Sequence, residues 1–354
     1  MGQTAETPVG QGEARGERQW LNRPVQRLVQ RPLRLVCIGG GTGLPVVLKG
    51  LAKRALPTAK SPGLELTAVV AMSDDGGSSG RLRRLRGVLP PGDVRNCLVA
   101  LSGTQSGVLQ KLFQHRFGGS RGIGGHAVGN LLLAALTELR GDFMEAVELS
   151  ARLLDARGRV LPSTLEAVEL VAELWDRTEV VGERNIAKSG QRVRRVALRP
   201  ELPKPSEGVI EALRQADLVT IGPGSLFSSV MPNLLVDGVA QALRETRALK
   251  VFVSNLMTQP GETDGMDAVE HVRAVVEHVG PVVDVALVNA RKPDEEVLAR
   301  YRKKGQDPVV VDRRGLIEAG VIPVEADLLK EGRRIRHDSR KVARCLMQLA
   351  RNGL

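Results

Sequence analysis

Short apolar runs closed by glycine alternate along this chain with stretches whose apolar positions recur every three or four residues. The first run, Arg34-Leu35-Val36-Cys37-Ile38, is continuously apolar, the pattern of a strand buried on both faces. Gly39-Gly40-Gly41-Thr42-Gly43 closes it, and residues 44–56 then take helical spacing, with Leu44, Val47, Leu48 and Leu51 on one side. Residues 64–72 predict a second buried strand, followed by Ser73-Asp74-Asp75-Gly76-Gly77-Ser78-Ser79-Gly80, a loop too rich in glycine for helix or strand. Helical spacing returns over 93–101, 108–117, 127–139 and 143–154, with a glycine-rich loop at 118–125.

The stretch 166–200 departs from this rhythm. Val168, Leu170, Ala172 and Leu174 alternate with other residues, and Val193, Val196 and Leu198 follow, which predicts a small antiparallel β insertion. Strands are then predicted at 217–221, 249–254, 282–288 and 308–311. Helices are predicted at 234–244, 266–279, 293–303 and 339–349. Repeated β–α units define an α/β fold: a Rossmann-like, doubly wound, mainly parallel sheet carrying that insertion. The expected organisation is one domain over 32–354, preceded by a disordered basic extension over 1–31 with Arg15, Arg18, Arg23, Arg27 and Arg31.

Composition narrows the function. Only 2% of the 354 residues are aromatic, so there is no material for the stacked rings of a single-stranded nucleic-acid platform. The net charge of +11 favours anionic partners, but the basic residues are dispersed and match no nucleic-acid-binding module, so nucleic acid is disfavoured. Cys37, Cys97 and Cys345 are odd in number and show no CxxC spacing, which fits a reducing compartment. No apolar run approaches the ~20 residues of a membrane span, and no basic start leads into an apolar stretch as in a secretory leader. A cytoplasmic protein is expected.

Ligands in doubly wound sheets bind beyond the carboxyl ends of the strands, where three unusual loops are predicted to fall. The first, with Gly40, Gly41, Thr42 and Gly43, matches neither GxGxxG nor a Walker loop. Its glycines still let backbone N–H groups approach a phosphate at a helix N-terminus; the bland alternative is a tight strand-to-helix turn. The second carries Asp74 and Asp75, which can hold Mg²⁺ beside substrate phosphates or receive sugar hydroxyls, or serve only as turn residues. Behind it, Gly92-Asp93-Val94-Arg95-Asn96 opens a helix with Asp93 as an N-cap candidate and Arg95 and Asn96 as neighbours that can face the site. His126 and Asn130 share a helix face and suit phosphate recognition, acid–base work or mere capping. The third loop, with Gly222, Gly224 and Ser225, lacks a GxSxG elbow, which disfavours a serine hydrolase. Ser254, Asn255 and Asp264, in a long polar run after another strand, suit the reading of a sugar or base; the bland alternative is a plain loop.

Taken together, GGGTG at 39–43, SDDGGSSGRLR at 73–83, PPGDVRNCL at 90–98, GGHAVGNLLLAAL at 124–136, ADLVTIGPGSLFSSVMPNLLV at 216–236 and SNLMTQPGETDG at 254–265 resemble the YvcK-like gluconeogenesis factor family. That family is distant kin of the CofD-like 2-phospho-L-lactate transferases. The resemblance implies a cytoplasmic bacterial protein that binds UDP-sugars, notably UDP-N-acetylglucosamine, and serves cell shape and cell-wall synthesis on gluconeogenic carbon. It implies no catalysed reaction. It brings Tyr301 and Arg336 to the nucleotide-sugar site, the ring against uracil or sugar and the guanidinium on the diphosphate. Cell-wall synthesis proteins and further copies of the chain are the expected macromolecular partners. The alternative is a Mg²⁺-dependent phospholactyl or nucleotidyl transferase, with the metal at Asp74 or Asp75.

Overall fold

The computed structural model describes residues 31–58, 62–103, 107–119 and 121–352. Among the described residues ten strands form two sheets: β1 (Leu33–Gly39), β2 (Leu64–Val70), β3 (Arg159–Pro162), β4 (Glu169–Leu174), β5 (Glu179–Val181), β6 (Val193–Arg199), β7 (Leu218–Ile221), β8 (Leu249–Val253), β9 (Val285–Asn289) and β10 (Ile322–Ala326). Seven make one parallel sheet in the order β10-β9-β8-β7-β1-β2-β3, and β5-β4-β6 make a small antiparallel sheet.

The strand pattern follows from two-sided burial. In β1, Val36 and Ile38 enter one apolar core while Leu35 and Cys37 enter another on the opposite face. Each face is covered by helices. In chain order the first are α1 (Leu44–Ala52), α2 (Gly77–Arg86), α3 (Gly92–Leu101), α4 (Gly107–Gln114), α5 (Val128–Arg140) and α6 (Phe143–Leu153). The insertion contributes α7 (Glu183–Ser189). There follow α8 (Val209–Gln215), α9 (Met231–Leu234), α10 (Val239–Glu245), α11 (Ala268–Val279), α12 (Glu295–Arg302), α13 (Arg313–Glu318) and α14 (Ser339–Asn352). Among the described residues no single helix is long and apolar enough to cross a membrane.

Several expectations are corrected. The second loop is helical from Gly77. Its Gly80 is no breaker: a Cβ there would lie 1.8 Å from the Asp75 carbonyl oxygen, so glycine permits a close contact. The strand expected at 308–311 is instead an extended segment outside the sheet. Val309 N–H donates to the Leu256 carbonyl, and Ala268 N–H donates to the Val310 carbonyl, so it pairs with the 254–268 run. The edge strands β3 and β10 emerge where none was expected. The helix expected at 234–244 is broken into α9 and α10 by Gly238, which has φ +71°. The extension over 1–31 lies outside the described residues except for Arg31, whose guanidinium meets the Asp217 carboxylate at 2.8 Å.

Strand order sets the position of the crevice. The chain steps from β1 outward through β2 to β3, then returns to the other side of β1 with β7. The switch point therefore lies between β1 and β7, where ligands of such sheets bind. The first and third glycine loops follow these two strands.

Candidate functional site

The two switch-point loops touch. A Cβ on Gly43 would lie 2.2 Å from the Pro223 carbonyl oxygen, so side chains are excluded between them. Gly41 takes φ +60°, which glycine accepts without strain. Its N–H donates to Asp93 Oδ2 at 2.5 Å. Asp93 therefore does not cap its own helix. It sits in the first turn of α3 and secures the first loop from across the crevice.

The second loop is fastened on all sides. Asp74 Oδ1 accepts from Gly76 N–H at 2.8 Å, and Ser79 Oγ accepts from Gly92 N–H at 3.1 Å. Asp75 turns the other way, where its Oδ1 accepts from Arg184 N–H at 3.1 Å, tying the insertion to the loop. Adjacent side chains thus diverge, and Asp74 and Asp75 do not form one two-carboxylate mount. Among the described residues no group of three or more His, Cys, Asp or Glu side chains is arranged to hold a metal ion. A Mg²⁺ carried by a ligand's phosphates would find Asp74 as its protein carboxylate, since that ion commonly uses one or two carboxylates plus phosphate oxygens.

His126 and Asn130 are buried and occupied with α2. His126 Nδ1 lies 2.9 Å from Ser78 Oγ, and Asn130 Nδ2 donates to the same hydroxyl at 3.0 Å. They brace the second loop from beneath. Burial, with Arg81 and Arg116 nearby, lowers the His126 pKa, so the imidazole is neutral at physiological pH.

At the third loop, Ser225 Oγ donates to Glu262, and Ser228 Oγ donates to Ser225 Oγ at 2.7 Å. Asn255 Oδ1 accepts from Gly224 N–H at 3.3 Å, so Asn255 joins the loop after β8 to the loop after β7. Residues Leu226–Val230 form a π-helical turn, a geometry frequent at functional sites. Ser254 is buried; its carbonyl accepts from His337 Nε2 at 3.2 Å, which draws the segment before α14 to the crevice. Burial pushes His337 down to about 4, so it acts here as a neutral donor.

Four carboxylates surround this edge: Asp74, Asp93, Glu183 and Glu262. Burial is the chief cause of the raised pKa of each. Asp93 rises to about 6, with Asp74 adding repulsion. Glu183, delivered by α7, rises to about 8, with Asp74, Asp93 and Glu262 adding repulsion. Arg95 lies between these acids and Arg116 and is 5% exposed. Its Nη2 donates to Asn96 Oδ1 at 2.6 Å, while Nε and Nη1 are buried with no protein partner.

The structure gathers the first loop, Asp74, the third loop, Ser254 and Asn255 around the switch point. Asp75, His126 and Asn130 serve as supports. Tyr301 and Arg336 lie further out: Tyr301 Oη accepts from Ile335 N–H at 3.1 Å, and exposed Arg336 shares a cleft with Asn96 on the outer side of α1. The sequence singles out Arg95 together with Asn96 as facing the site, but not Asp93, Glu183 or Glu262. Asp93 is signalled only by its place in the glycine-bounded PPGDVRN run, and Glu262 by the QPGETDG run. Nothing local signals Glu183.

The parallel sheet, its helices on both faces and the switch-point crevice define a Rossmann-like α/β protein. The family described as 2-phospho-L-lactate transferase CofD matches residues 35–329. The gluconeogenesis factor of Halalkalibacterium halodurans is 43% identical over 316 residues, covering 89% of this chain and 95% of that protein. The gluconeogenesis factor of Bacillus subtilis is 42% identical over 322 residues, covering 90% and 98%. A crystal structure of a Bacillus halodurans protein superposes with a TM-score of 0.85 at 42% identity, covering 90% of this chain and all of that one. This chain belongs to the gluconeogenesis factors of the CofD family.

Proposed function

We propose that this protein binds a UDP-sugar, UDP-N-acetylglucosamine in the first instance, and acts as a cytoplasmic regulator of cell shape and cell-wall synthesis during gluconeogenic growth. The observation that carries this reading is the switch-point crevice, where the loops after β1 and β7 meet with no side chain between them. Backbone can approach a ligand closely there. The walls supply sugar-reading groups, with carboxylates at Asp74 and Asp93, hydroxyls at Ser225 and Ser228, and an amide at Asn255. The Ser225 and Ser228 hydroxyls are engaged with Glu262 or with each other. Cell-wall synthesis proteins, and a second copy of the chain, remain the proposed partners.

A second reading, Mg²⁺-dependent group transfer, has one observation in its favour. Beyond burial, Asp74 raises the pKa of Asp93, and Asp74 and Asp93 raise that of Glu183, which favours a cation or a proton among them. Calorimetry and thermal melting separate the readings. UDP-N-acetylglucosamine at a hundredfold excess over Kd is expected to add ~2.7 kcal/mol of stability, with or without Mg²⁺. Release of UDP on incubation with Mg²⁺ would establish transfer instead. An unchanged melting point with the UDP-sugar, alongside a rise with NAD, would overturn the nucleotide-sugar reading.

A further inference from the structure

We propose that the face formed by α2, α4 and residues 121–125 docks on an anionic lipid surface. Nothing in this inference depends on the function proposed above.

The face is set apart first by its charge. From Gly76 to Thr137 the sequence holds eight Lys and Arg residues and a single acid, Asp93, in a chain with 40 acidic residues. Asp93 is turned away, its carboxylate accepting from Gly41 N–H across the crevice. The exposed charges are therefore all positive: Arg84 and Arg86 on α2, Lys111 on α4, and Arg116 and Arg121 beyond it. The first acid past the face, Glu138, meets Arg86 at 3.8 Å and marks its border.

It is set apart also by its apolar residues. Val108 and Leu112 stand one helical turn apart on α4, on a different side from buried Phe113, and are 81% and 43% exposed. Lys111 and His115, also four apart, run beside them. One apolar side of α4 thus packs on the core through Phe113, while a second is left to solvent among polar and cationic groups. Ile123 is 58% exposed, and Leu85, between Arg84 and Arg86 on α2, is 74% exposed. Singly scattered apolar residues are ordinary on a surface. These four belong to elements fastened together. Arg81 Nη2 on α2 donates to the Gly124 carbonyl at 2.6 Å, Arg116 Nη1 donates to the Gly125 carbonyl at 2.5 Å, and Gly125 N–H donates to the Phe117 carbonyl at 2.8 Å.

The occupant follows from these two properties. A protein partner is matched by close packing and by charges of both signs placed in register. Here the apolar side chains project singly from separate elements, and the exposed charges around them have one sign. A layer of anionic headgroups admits such points between its lipids and answers a one-sign field without register. A nucleic-acid backbone would leave Val108 and Leu112 without a partner.

The test is co-sedimentation of the full chain with vesicles of phosphatidylcholine, alone or mixed with phosphatidylglycerol. The proteins are wild type, Arg84→Gln/Lys111→Gln, Val108→Gln/Leu112→Gln, and Arg313→Gln/Arg314→Gln, which removes two positive charges from an exposed helix elsewhere. All the changed side chains are exposed, and melting points establish that the variants fold. Wild type is expected to bind the mixed vesicles and not phosphatidylcholine alone. Arg84→Gln/Lys111→Gln is expected to weaken binding about 25-fold, at about fivefold for each cation near the surface. Val108→Gln/Leu112→Gln is expected to weaken it about tenfold or more, and Arg313→Gln/Arg314→Gln to stay within about twofold of wild type. No binding of wild type to the mixed vesicles overturns the proposal. So does equal weakening by the two charge-removing variants, which would reduce the effect to net charge, and so does undiminished binding by Val108→Gln/Leu112→Gln. Binding to poly-L-glutamate but to no vesicle assigns the face to an acidic protein and likewise overturns it.

Discussion

On one side of the first glycine loop stand Asp74, Asp93, Glu183 and Glu262; on the other stand Lys49, Lys53, Arg157 and Arg336. The acidic group is assembled from four separate segments and held under partial or full burial, which raises the pKa of each carboxylate. The basic group lies along one exposed helix and its neighbours. The difference teaches how one strand-end crevice can receive a molecule of mixed polarity. A buried wall of carboxylates and hydroxyls both donates and accepts hydrogen bonds, which suits hydroxyls. An exposed unpaired cationic wall suits phosphate.

The largest expected effect comes from joining the two walls by force. Gly43→Val places atoms where the Pro223 carbonyl already lies, so the loops after β1 and β7 must separate. The variant is expected to lose nucleotide-sugar binding entirely in calorimetry and to lose about 1–3 kcal/mol of stability, the usual cost of overpacking. Normal affinity would mean that the contact between these loops does not shape the site.

A smaller effect sharpens the basic side alone. Tyr301→Phe removes only the hydroxyl that accepts from Ile335 N–H, loosening the segment that carries Arg336. One lost hydrogen bond of about 1 kcal/mol corresponds to an affinity loss of roughly fivefold. If the ring instead stacks on uracil and the hydroxyl is idle, Tyr301→Phe binds as wild type while Tyr301→Ala fails.

The smallest effect concerns the acidic side and pH. Glu183 has a folded pKa of about 8 against an ordinary value of 4.5, so the folded state holds its proton more tightly than the unfolded state. Its contribution is fully present below about pH 4.5 and is lost as pH rises through about 8. Asp93, raised from 3.8 to about 6, acts in the same direction over a lower window. The melting point is expected to fall between about pH 5 and pH 9, and Glu183→Gln, which stays neutral, is expected to flatten that fall. An unaltered pH profile in the variant would place Glu183 outside the cluster.

The fold was legible wherever local pattern and burial coincide. In β1 every residue from Leu35 to Ile38 is buried, so the apolar run is unbroken. In the insertion one face is buried, and Leu170, Ala172 and Leu174 alternate accordingly. At the edges the signal fails. β10 carries Pro323 and Glu325 because only one side of it is paired, and it therefore reads as loop. Glycine misled at Gly80, where it marks a tight contact within a helix. Of the site, the glycine loops were legible because close backbone approach demands a specific residue. Glu183 was not, because its role arises from α7 folding back onto Asp75, a contact across 109 positions with no local signature.

A crystal structure with UDP-N-acetylglucosamine bound tests the division of the site most directly. The account predicts sugar hydroxyls within hydrogen-bond distance of the Asp74, Asp93 and Ser225 side, and diphosphate oxygens within hydrogen-bond distance of Arg336 or Lys49. The diphosphate lying against Asp74 and Asp93, with Arg336 and Lys49 facing solvent, would contradict it.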